Sequence, residues 1–270
     1  MNGRHDDGPH EHDRGLSHDL PVLARRRMIR LMAGAGLVPL VGCTAEDSPT
    51  ASPSTSSPAA GCAEIPEETA GPFPGDGSNG VNVLKESGVV RGDITRSFGD
   101  FAGGTAEGVP LTITLTVVEA ASGCGTPKQG AAVYVWHCDR DGAYSLYSDG
   151  VTEENYLRGV QETDEKGRVT FTSIFPGCYQ GRWPHVHFEV YDSLADATAA
   201  TAIKNTSQLA FPKDVCDAVY ATDGYGASVR NLSGLSLADD GVFSDGHDRQ
   251  LATMTGSTGD GYTATLTVPV

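Results

Sequence analysis

Two histidines and two tyrosines form the chemically most informative pattern in the sequence. His185 and His187 alternate in the run His-Val-His-Phe-Glu-Val, whose period of two is typical of a β-strand. Both imidazoles should therefore leave the same face, roughly 6.6 Å apart along the backbone, where one metal ion could bind them. Tyr179 precedes this pair, and Tyr144 follows a second strand-like run. A bare His-x-His pair is also compatible with an ordinary polar strand face, so the surrounding residues must decide.

The two phenols indicate which metal such a site would hold. Imidazole suits several transition metals, and a closed structural zinc site would favour thiolate and imidazole. Phenolate is a hard anionic donor that favours Fe(III), so two Tyr and two His predict ferric iron. A free phenol has a pKa near 10, so the ion itself must drive the loss of the proton. A ferrous 2-His-1-carboxylate site or a zinc hydrolase would require a carboxylate in this pattern.

At these residues the sequence resembles the intradiol ring-cleavage dioxygenases, the family of the catechol and protocatechuate dioxygenases. The resemblance extends over about two hundred residues in family order, and several of its segments are specific. These segments are Pro66–Phe73, Gly130–Asp139, Leu157–Gln161, Pro176–Tyr179, Arg182–Phe188 and Gln208–Pro212.

The resemblance implies a non-haem Fe(3+) dioxygenase that uses O2 to cleave a small aromatic diol between its two hydroxylated carbons, giving a muconate-type diacid. Substrate would displace Tyr179 from the metal, and the freed phenolate would accept a substrate proton. Arg182 would stabilise negative charge that develops on the ring, and Gln208 would line the pocket. The implied iron ligands are Tyr144, Tyr179, His185 and His187.

Tyr179 lies only six residues before His185, a shorter interval than in well-studied members of the family. The short interval predicts a more open pocket that accepts substituted or larger catechols. The alternative function is a non-catalytic exported β-sandwich that keeps the family fold and binds a ligand or a partner. A broken ligand set would favour that alternative, but all four ligand positions are occupied by the expected residue types.

The elements that must position these residues are β-strands. From Cys62 onward, apolar and β-branched runs alternate with Gly, Pro and Asp clusters, whereas helical signals are weak. This pattern predicts an all-β fold, a single β-sandwich of mixed or antiparallel strands with long loops. The strongest predicted strands cover residues 111–118, 131–138, 168–173, 186–191 and 262–268.

The first sixty residues are not globular in composition. Arg25 and Arg26 followed by an apolar run, too short to span a bilayer, resemble a twin-arginine export signal, and Leu-Val-Gly-Cys resembles a lipobox ending at Cys43. We therefore expect a signal peptide over residues 1–42, lipidation of Cys43, a disordered Ser/Thr/Pro-rich linker over 43–61 and a catalytic domain over 62–270. The expected location is the extracytoplasmic face of the cell membrane, with attachment through lipid.

Charge and cysteine content restrict the partners further. A net charge of −16 disfavours nucleic acid, because phosphate binding needs a basic face. A homodimer remains open. Six cysteines suit an oxidising compartment, and five remain once Cys43 is lipidated. The resemblance brings the segment of Gln208 back towards the metal, which favours a Cys178–Cys216 bridge, although the other pairings stay open.

Overall fold

The fold consists of two β-sheets packed face to face, with short helices in the connections. In the computed structural model, residues 62–101 and 103–270 are described. The nine strands are β1 (Pro110–Glu119), β2 (Thr126–Pro127), β3 (Ala132–Trp136), β4 (Arg158–Glu162), β5 (Arg168–Ile174), β6 (His185–Tyr191), β7 (Ile203–Ala210), β8 (Thr253–Ser257) and β9 (Gly261–Pro269). The helices are α1 (Leu194–Ala199), α2 (Lys213–Tyr220) and α3 (Gly226–Leu232), and two 3-10 turns cover Ala120–Ser122 and Phe243–Asp245.

The first sheet is built around β1. This strand pairs antiparallel with β5 and with the short β2 on one side, and parallel with β9 on the other. The antiparallel strand β8 completes the sheet beside β9. Strand β1 alternates buried apolar residues with Thr, a period-two pattern that turns one face towards the core and the other towards solvent.

The second sheet carries the residues that could do chemistry. Its four strands are all antiparallel, in the order β4-β3-β6-β7. Every residue of β3 and β6 is buried, because both faces of this sheet are covered. One face, with Val135, Val186 and Phe188, packs on the first sheet in the main core. The opposite face, with Trp136 and His187, lies beneath long loops.

The predicted all-β sandwich is confirmed, and each of the five strongest predicted strands coincides with an observed strand to within two residues. The structure adds four strands that the sequence patterns did not single out, namely β2, β4, β7 and β8. Helices α1, α2 and α3 have six to eight residues each, which explains why their periodicity was too brief to be distinctive.

The cysteines pair differently from the expectation. Cys62 forms a disulfide with Cys124 in the loop before β2, whereas Cys138, Cys178 and Cys216 are free and buried. The expected Cys178–Cys216 bridge is therefore wrong. The Cys178 thiol faces the carbonyl of Arg182 in its own loop, whereas the Cys216 thiol, in helix α2, faces the carbonyl of Phe211.

The N-terminal predictions fall outside the described residues. These are the signal peptide over 1–42, lipidation of Cys43 and the linker over 43–61. Within residues 62–101 and 103–270, no helix combines the length and the apolar character needed to cross a bilayer.

Candidate metal centre

Four side chains converge on the outer face of the second sheet. The Nε2 atoms of His185 and His187 are 3.0 Å apart. The phenol oxygen of Tyr144 lies 3.4 Å from His185 Nε2, and that of Tyr179 lies 3.3 Å from the same nitrogen. The structure therefore brings together all four residues that the sequence predicted as ligands, although their role as ligands stays a prediction.

Strand geometry places the two imidazoles. His185 and His187 are the first and third residues of β6, so they project from the same face. His187 pairs with Trp136 of β3 and with Gln208 of β7 in the ladder, and its ring stacks on the Trp136 indole at 4.9 Å with an interplanar angle of 5°. The His185 ring is fixed by a hydrogen bond from Nδ1 to the carbonyl of Trp183.

The loop after β3 delivers Tyr144. Asp139 shapes the turn, since its Oδ1 accepts hydrogen bonds from the backbone N–H groups of Asp141 and Ala143 at 3.0 and 2.9 Å. The Tyr144 backbone N–H donates to Ser148 Oγ at 2.9 Å. The resulting loop buries the Tyr144 ring, which is 1% exposed, so the phenol reaches the histidines from outside the sheet.

A second loop delivers Tyr179 and is held by helix α3. Asn231 donates to the Cys178 carbonyl at 2.7 Å, and the Cys178 N–H donates to Ser228 Oγ at 2.9 Å. Gly142 of the neighbouring turn has φ +87°, and a Cβ there would lie 3.1 Å from the Cβ of Tyr179. Glycine at 142 thus allows the two tyrosine loops to touch. Tyr179 remains partly exposed, unlike Tyr144.

Burial sets the protonation of the cluster. Burial lowers the pKa of both imidazoles, and the positive charge of Arg182 lowers them further, with His185 also acting on His187. Both rings are therefore neutral at neutral pH. Burial, followed by the neighbouring Tyr179, raises the pKa of Tyr144 well above its ordinary value. A buried phenol of this kind ionises only if a cation compensates the charge.

The cluster fits a bound cation. The His185 Nδ1 must donate to a carbonyl, so its Nε2 presents a lone pair towards His187. Two nitrogens bonded at right angles to one ion, each at about 2.0–2.1 Å, lie roughly 3 Å apart, which matches the observed spacing. In the described part of the chain no three His, Cys, Asp or Glu side chains are grouped as a metal site. A cation here would take half of its protein ligands from phenols, the donor set that suits Fe(III).

Arg182 and Gln208 form a buried network beside the four-residue cluster. Arg182 Nη2 donates to Gln208 Oε1 at 2.6 Å, and Gln208 Nε2 donates to the Thr69 carbonyl at 2.9 Å. Arg182 Nε donates to Asp240 Oδ2 at 3.1 Å, and the same oxygen accepts from the Trp183 backbone N–H at 2.7 Å. The network fixes the guanidinium beside the candidate metal centre, since Gln208 is the ladder partner of His187.

Asp240 is the site residue that the sequence analysis missed. It is fully buried, and its Oδ1 also accepts from the backbone N–H groups of Val242 and Phe243 at 2.8 and 3.2 Å. Burial alone would raise the pKa of this carboxyl, but Arg182 and the backbone donors hold it below its ordinary value. The only sequence signal is an Asp-Asp-Gly turn, which does not distinguish Asp240 from the exposed Asp239.

The segment Ile65–Phe73 forms a further wall, which we call the strap. Its backbone is tied to β7, since Glu68 N donates to the Thr206 carbonyl at 2.7 Å. Gly71 has φ +70°, and a Cβ there would lie 3.4 Å from Cε1 of His187. The Phe73 ring lies 5.0 Å from the Tyr144 ring. The strap therefore closes over both a histidine and a tyrosine of the cluster.

His137, which directly follows β3, takes no part in the cluster. Its Nε2 contacts Ser173 Oγ at 2.7 Å and its Nδ1 contacts the Cys138 carbonyl at 2.7 Å, so both ring nitrogens are engaged between the sheets. Burial lowers the pKa of His137 to about 4, so the ring is a neutral hydrogen-bonding element of the core.

Comparison with known proteins was made on this fold and cluster. The family model described as Dioxygenase matches residues 90–232 of the 270-residue chain, which is more than half of it. The matched range contains all four residues of the cluster together with Arg182 and Gln208.

Solved structures share the architecture. An intradiol ring-cleavage dioxygenase from Tetranychus urticae is 25% identical with a TM-score of 0.60, and the likeness covers 77% of this chain and 94% of that chain. A second dioxygenase crystal structure is 24% identical, with the same TM-score of 0.60 and the same coverage, and at that identity it shows the fold alone.

One curated relative matches over a shorter stretch. A chlorocatechol 1,2-dioxygenase from Rhodococcus opacus is 41% identical over 56 residues, which make up 21% of this chain and 22% of the relative. The match thus spans about a fifth of that relative's length.

Proposed function

The chain belongs to the intradiol ring-cleavage dioxygenase family, and we propose that it is a non-haem Fe(III) enzyme that opens the ring of catechol-type substrates with O2. Cleavage falls between the two hydroxylated carbons, and both atoms of O2 enter a muconate-type diacid. The observation that supports this proposal is the convergence of two phenol oxygens on His185 Nε2, at 3.3 and 3.4 Å, beside a second imidazole nitrogen.

Tyr144, Tyr179, His185 and His187 would hold the iron. Ferric iron, when bound, supplies a Lewis acid that draws electron density from a chelated catecholate and makes its ring reactive towards O2. The buried imidazoles contribute lone pairs without having to lose a proton, whereas the phenols must each release one. The chain thus offers the ion two neutral and two anionic ligands.

Tyr179 is the tyrosine suited to exchange with substrate. Its ring is partly exposed, whereas Tyr144 is buried and fixed by its loop. We propose that Tyr179 would give up its place to the catechol and that its phenolate oxygen would accept one of the catechol protons. Tyr144, held under the strap, would remain a permanent ligand.

Arg182 and Gln208 would act on the substrate side of the cluster. The Arg182 guanidinium is 1% exposed, so its charge is weakly screened. Asp240 and Gln208 fix its orientation before substrate arrives, and preorganised charge of this kind stabilises anionic transition states. We propose that Arg182 stabilises negative charge on the ring and that Gln208 positions Arg182 and lines the pocket.

The proposed substrates are substituted or larger catechols. The chlorocatechol dioxygenase likeness and the short interval between Tyr179 and His185 both favour them. Turnover of plain catechol and of bulky 4-substituted catechols would test this point, since an open pocket should keep kcat/KM for the bulky substrates at or above the value for catechol. A steep loss with substituent size would contradict it.

The proposed location is the outer face of the cell membrane, reached through a twin-arginine signal and held by lipid on Cys43. Fractionation of cells that express the chain with Arg25→Lys and Arg26→Lys tests the export route. The variant should accumulate in the cytoplasm, whereas normal export would refute the twin-arginine assignment.

The ring-cleavage reaction itself is tested with ¹⁸O2. Purified full chain loaded with Fe(III) should convert catechol to a diacid that carries two ¹⁸O atoms, and Tyr144→Phe should abolish turnover. Tyr225→Phe is the matched control, because Tyr225 is a buried tyrosine whose hydroxyl donates to the Phe175 carbonyl, outside the cluster. An aldehyde product, or no oxygen consumption by the iron-loaded protein, would contradict the proposal. If the iron-loaded protein consumes no oxygen, the non-catalytic binding module becomes the better interpretation.

A further inference from the structure

Arg158 is a buried cation to which the reaction outlined above gives no role. It begins β4, and its side chain is 1% exposed. Its Nε donates to Ser145 Oγ at 3.1 Å, its Nη2 to the Ser145 carbonyl at 2.9 Å and its Nη1 to the Pro74 carbonyl at 2.9 Å. Within the described residues no carboxylate lies at ion-pair distance from this guanidinium, so its hydrogen bonds go to neutral acceptors.

Three of its four acceptors belong to the two segments that enclose Tyr144, and the fourth is the Tyr134 hydroxyl of β3, to which Nη1 also donates at 3.2 Å. Ser145 follows Tyr144 directly in the chain. Pro74 follows Phe73, whose ring lies 5.0 Å from the Tyr144 ring. One guanidinium therefore connects the tyrosine loop to the end of the strap. Each of the two residues it contacts there, Ser145 and Pro74, is adjacent in sequence to one of the two rings in contact, Tyr144 and Phe73.

The backbone around these joints is held in an unfavourable conformation. Leu146 has φ 74° and Leu157 has φ 57°, and both are L-residues in the left-handed region. Each costs about 1–2 kcal/mol, and such strain persists only where the surroundings fix the backbone. Leu146 follows Ser145, and Leu157 precedes Arg158. The Arg158 side chain thus connects two strained turns.

A buried arginine without an anionic partner is itself costly, because desolvation of the charge is repaid only by hydrogen bonds to neutral groups. An apolar residue could fill the same space at lower cost. The planar guanidinium differs from lysine in that it can donate to Ser145 and Pro74 at the same time, from fixed positions. The positions of these acceptors match the several fixed N–H donors of a guanidinium, which we call the fork, and not the single charged group of a lysine.

We propose that Arg158 is a positioning residue for Tyr144. Its fork fixes the tyrosine loop against the strap, and this keeps the Tyr144 phenol oxygen at 3.4 Å from His185 Nε2. The role rests on the proposed function, because it matters only if Tyr144 is an iron ligand. Tyr179 is held independently through helix α3, so loss of the fork should disturb one tyrosine ligand and leave the other in place.

The test compares Arg158→Lys and Arg158→Met with the wild-type full chain after loading with Fe(III). The readouts are iron affinity and the energy of the tyrosinate-to-Fe(III) charge-transfer band, neither of which requires turnover. Both variants should bind iron about 10–100-fold more weakly, the usual effect of losing a group that orients a metal ligand, and should shift the band. Arg168→Lys is the control, since Arg168 lies in β5 of the first sheet and its guanidinium pairs with Asp164, away from the tyrosine loop and the strap. It should match the wild type.

The outcomes separate the two proposals. A wild-type protein that binds iron without a charge-transfer band contradicts the proposed function. A wild-type band together with an unchanged band and affinity in Arg158→Lys contradicts the fork, because charge alone would then suffice. If circular dichroism shows that the Arg158 variants do not fold, Ser145→Ala provides the test, since it keeps Arg158 and removes the Oγ that accepts from Arg158 Nε and donates to the Tyr156 carbonyl. It should shift the band in the same direction by less, and an unshifted band would overturn the proposal.

Discussion

Replacement of Asp240 by Asn tests the buried network beside the candidate metal centre. Asp240 accepts four hydrogen bonds, from Arg182 Nε, from the Trp183 N–H and from the N–H groups of Val242 and Phe243. An amide keeps the shape of the carboxylate but turns one acceptor into a donor that faces these N–H groups. It also removes the negative charge that lies against the Arg182 guanidinium.

The expected loss is large because both charges are buried. Arg182 is 1% exposed and Asp240 is 0% exposed. Removal of one partner from a buried ion pair typically costs about 3–5 kcal/mol, which for a domain of this size lowers Tm by roughly 10 °C. The guanidinium would also leave its preorganised position, and a misplacement of this kind can lower kcat by about 100-fold.

Thermal unfolding and catechol turnover of Asp240→Asn provide the assay, with Asp239→Asn as the matched control. Asp239 is the neighbouring acid, but it is exposed, and its carboxylate accepts a hydrogen bond from Ser236 Oγ within the same turn. Its loss should change stability by less than about 0.5 kcal/mol. Adding Arg182→Met to Asp240→Asn should recover about 1–3 kcal/mol, because the uncompensated cation is removed. A loss of stability no greater than that of the control, or no recovery in the double variant, would contradict the inference that Asp240 compensates the buried charge of Arg182.

Three further predictions concern stability and metal loading. Burial raises the pKa of Glu189 from 4.5 to about 7. The free energy of unfolding of the metal-free protein should therefore fall by roughly 3 kcal/mol as the pH rises from 4.5 to 7. Glu189→Gln should remove this fall from a plot of the denaturant midpoint against pH. Gly71→Ala should cost about 1–2 kcal/mol, since φ is +70°, and should weaken iron binding because relief of this strain shifts the strap that covers His187; an iron titration equal to wild type would count against the strap. Reduction of the Cys62–Cys124 bridge, which spans 62 residues, should cost about 4 kcal/mol in chemical denaturation, and an unchanged midpoint would show that the strap is anchored without it.

The part of the fold that could be predicted from sequence is the part with strict alternation. Strand β1 alternates buried apolar residues with Thr, so its period of two could be recognised in the sequence. Strand β6 was predicted equally well, although it is buried on both faces, because its outer face carries polar rings beneath loops. Strand β7 begins with the exposed Ile203 and Lys204 and is buried only from Thr206 onward, so no single pattern marks it.

The candidate site could be predicted from sequence where the residue types themselves indicate the chemistry. His185, His187, Tyr144 and Tyr179 are recognisable because two phenols and two imidazoles are an unusual donor set. Asp240 was not, because its importance arises from burial against Arg182, 58 positions away, and the chain offers many other aspartates. The Cys62–Cys124 disulfide could not be predicted either, since pairing depends on which loops meet and not on cysteine spacing.

The visible absorption spectrum of the purified full chain shows directly whether the four-residue cluster is a tyrosinate–iron centre. We expect a tyrosinate-to-Fe(III) band at one iron per chain, a shift of that band on anaerobic addition of catechol, and its decay on admission of O2. A protein that binds iron but stays colourless would contradict the assignment of Tyr144 and Tyr179 as ligands, and with it the proposed reaction.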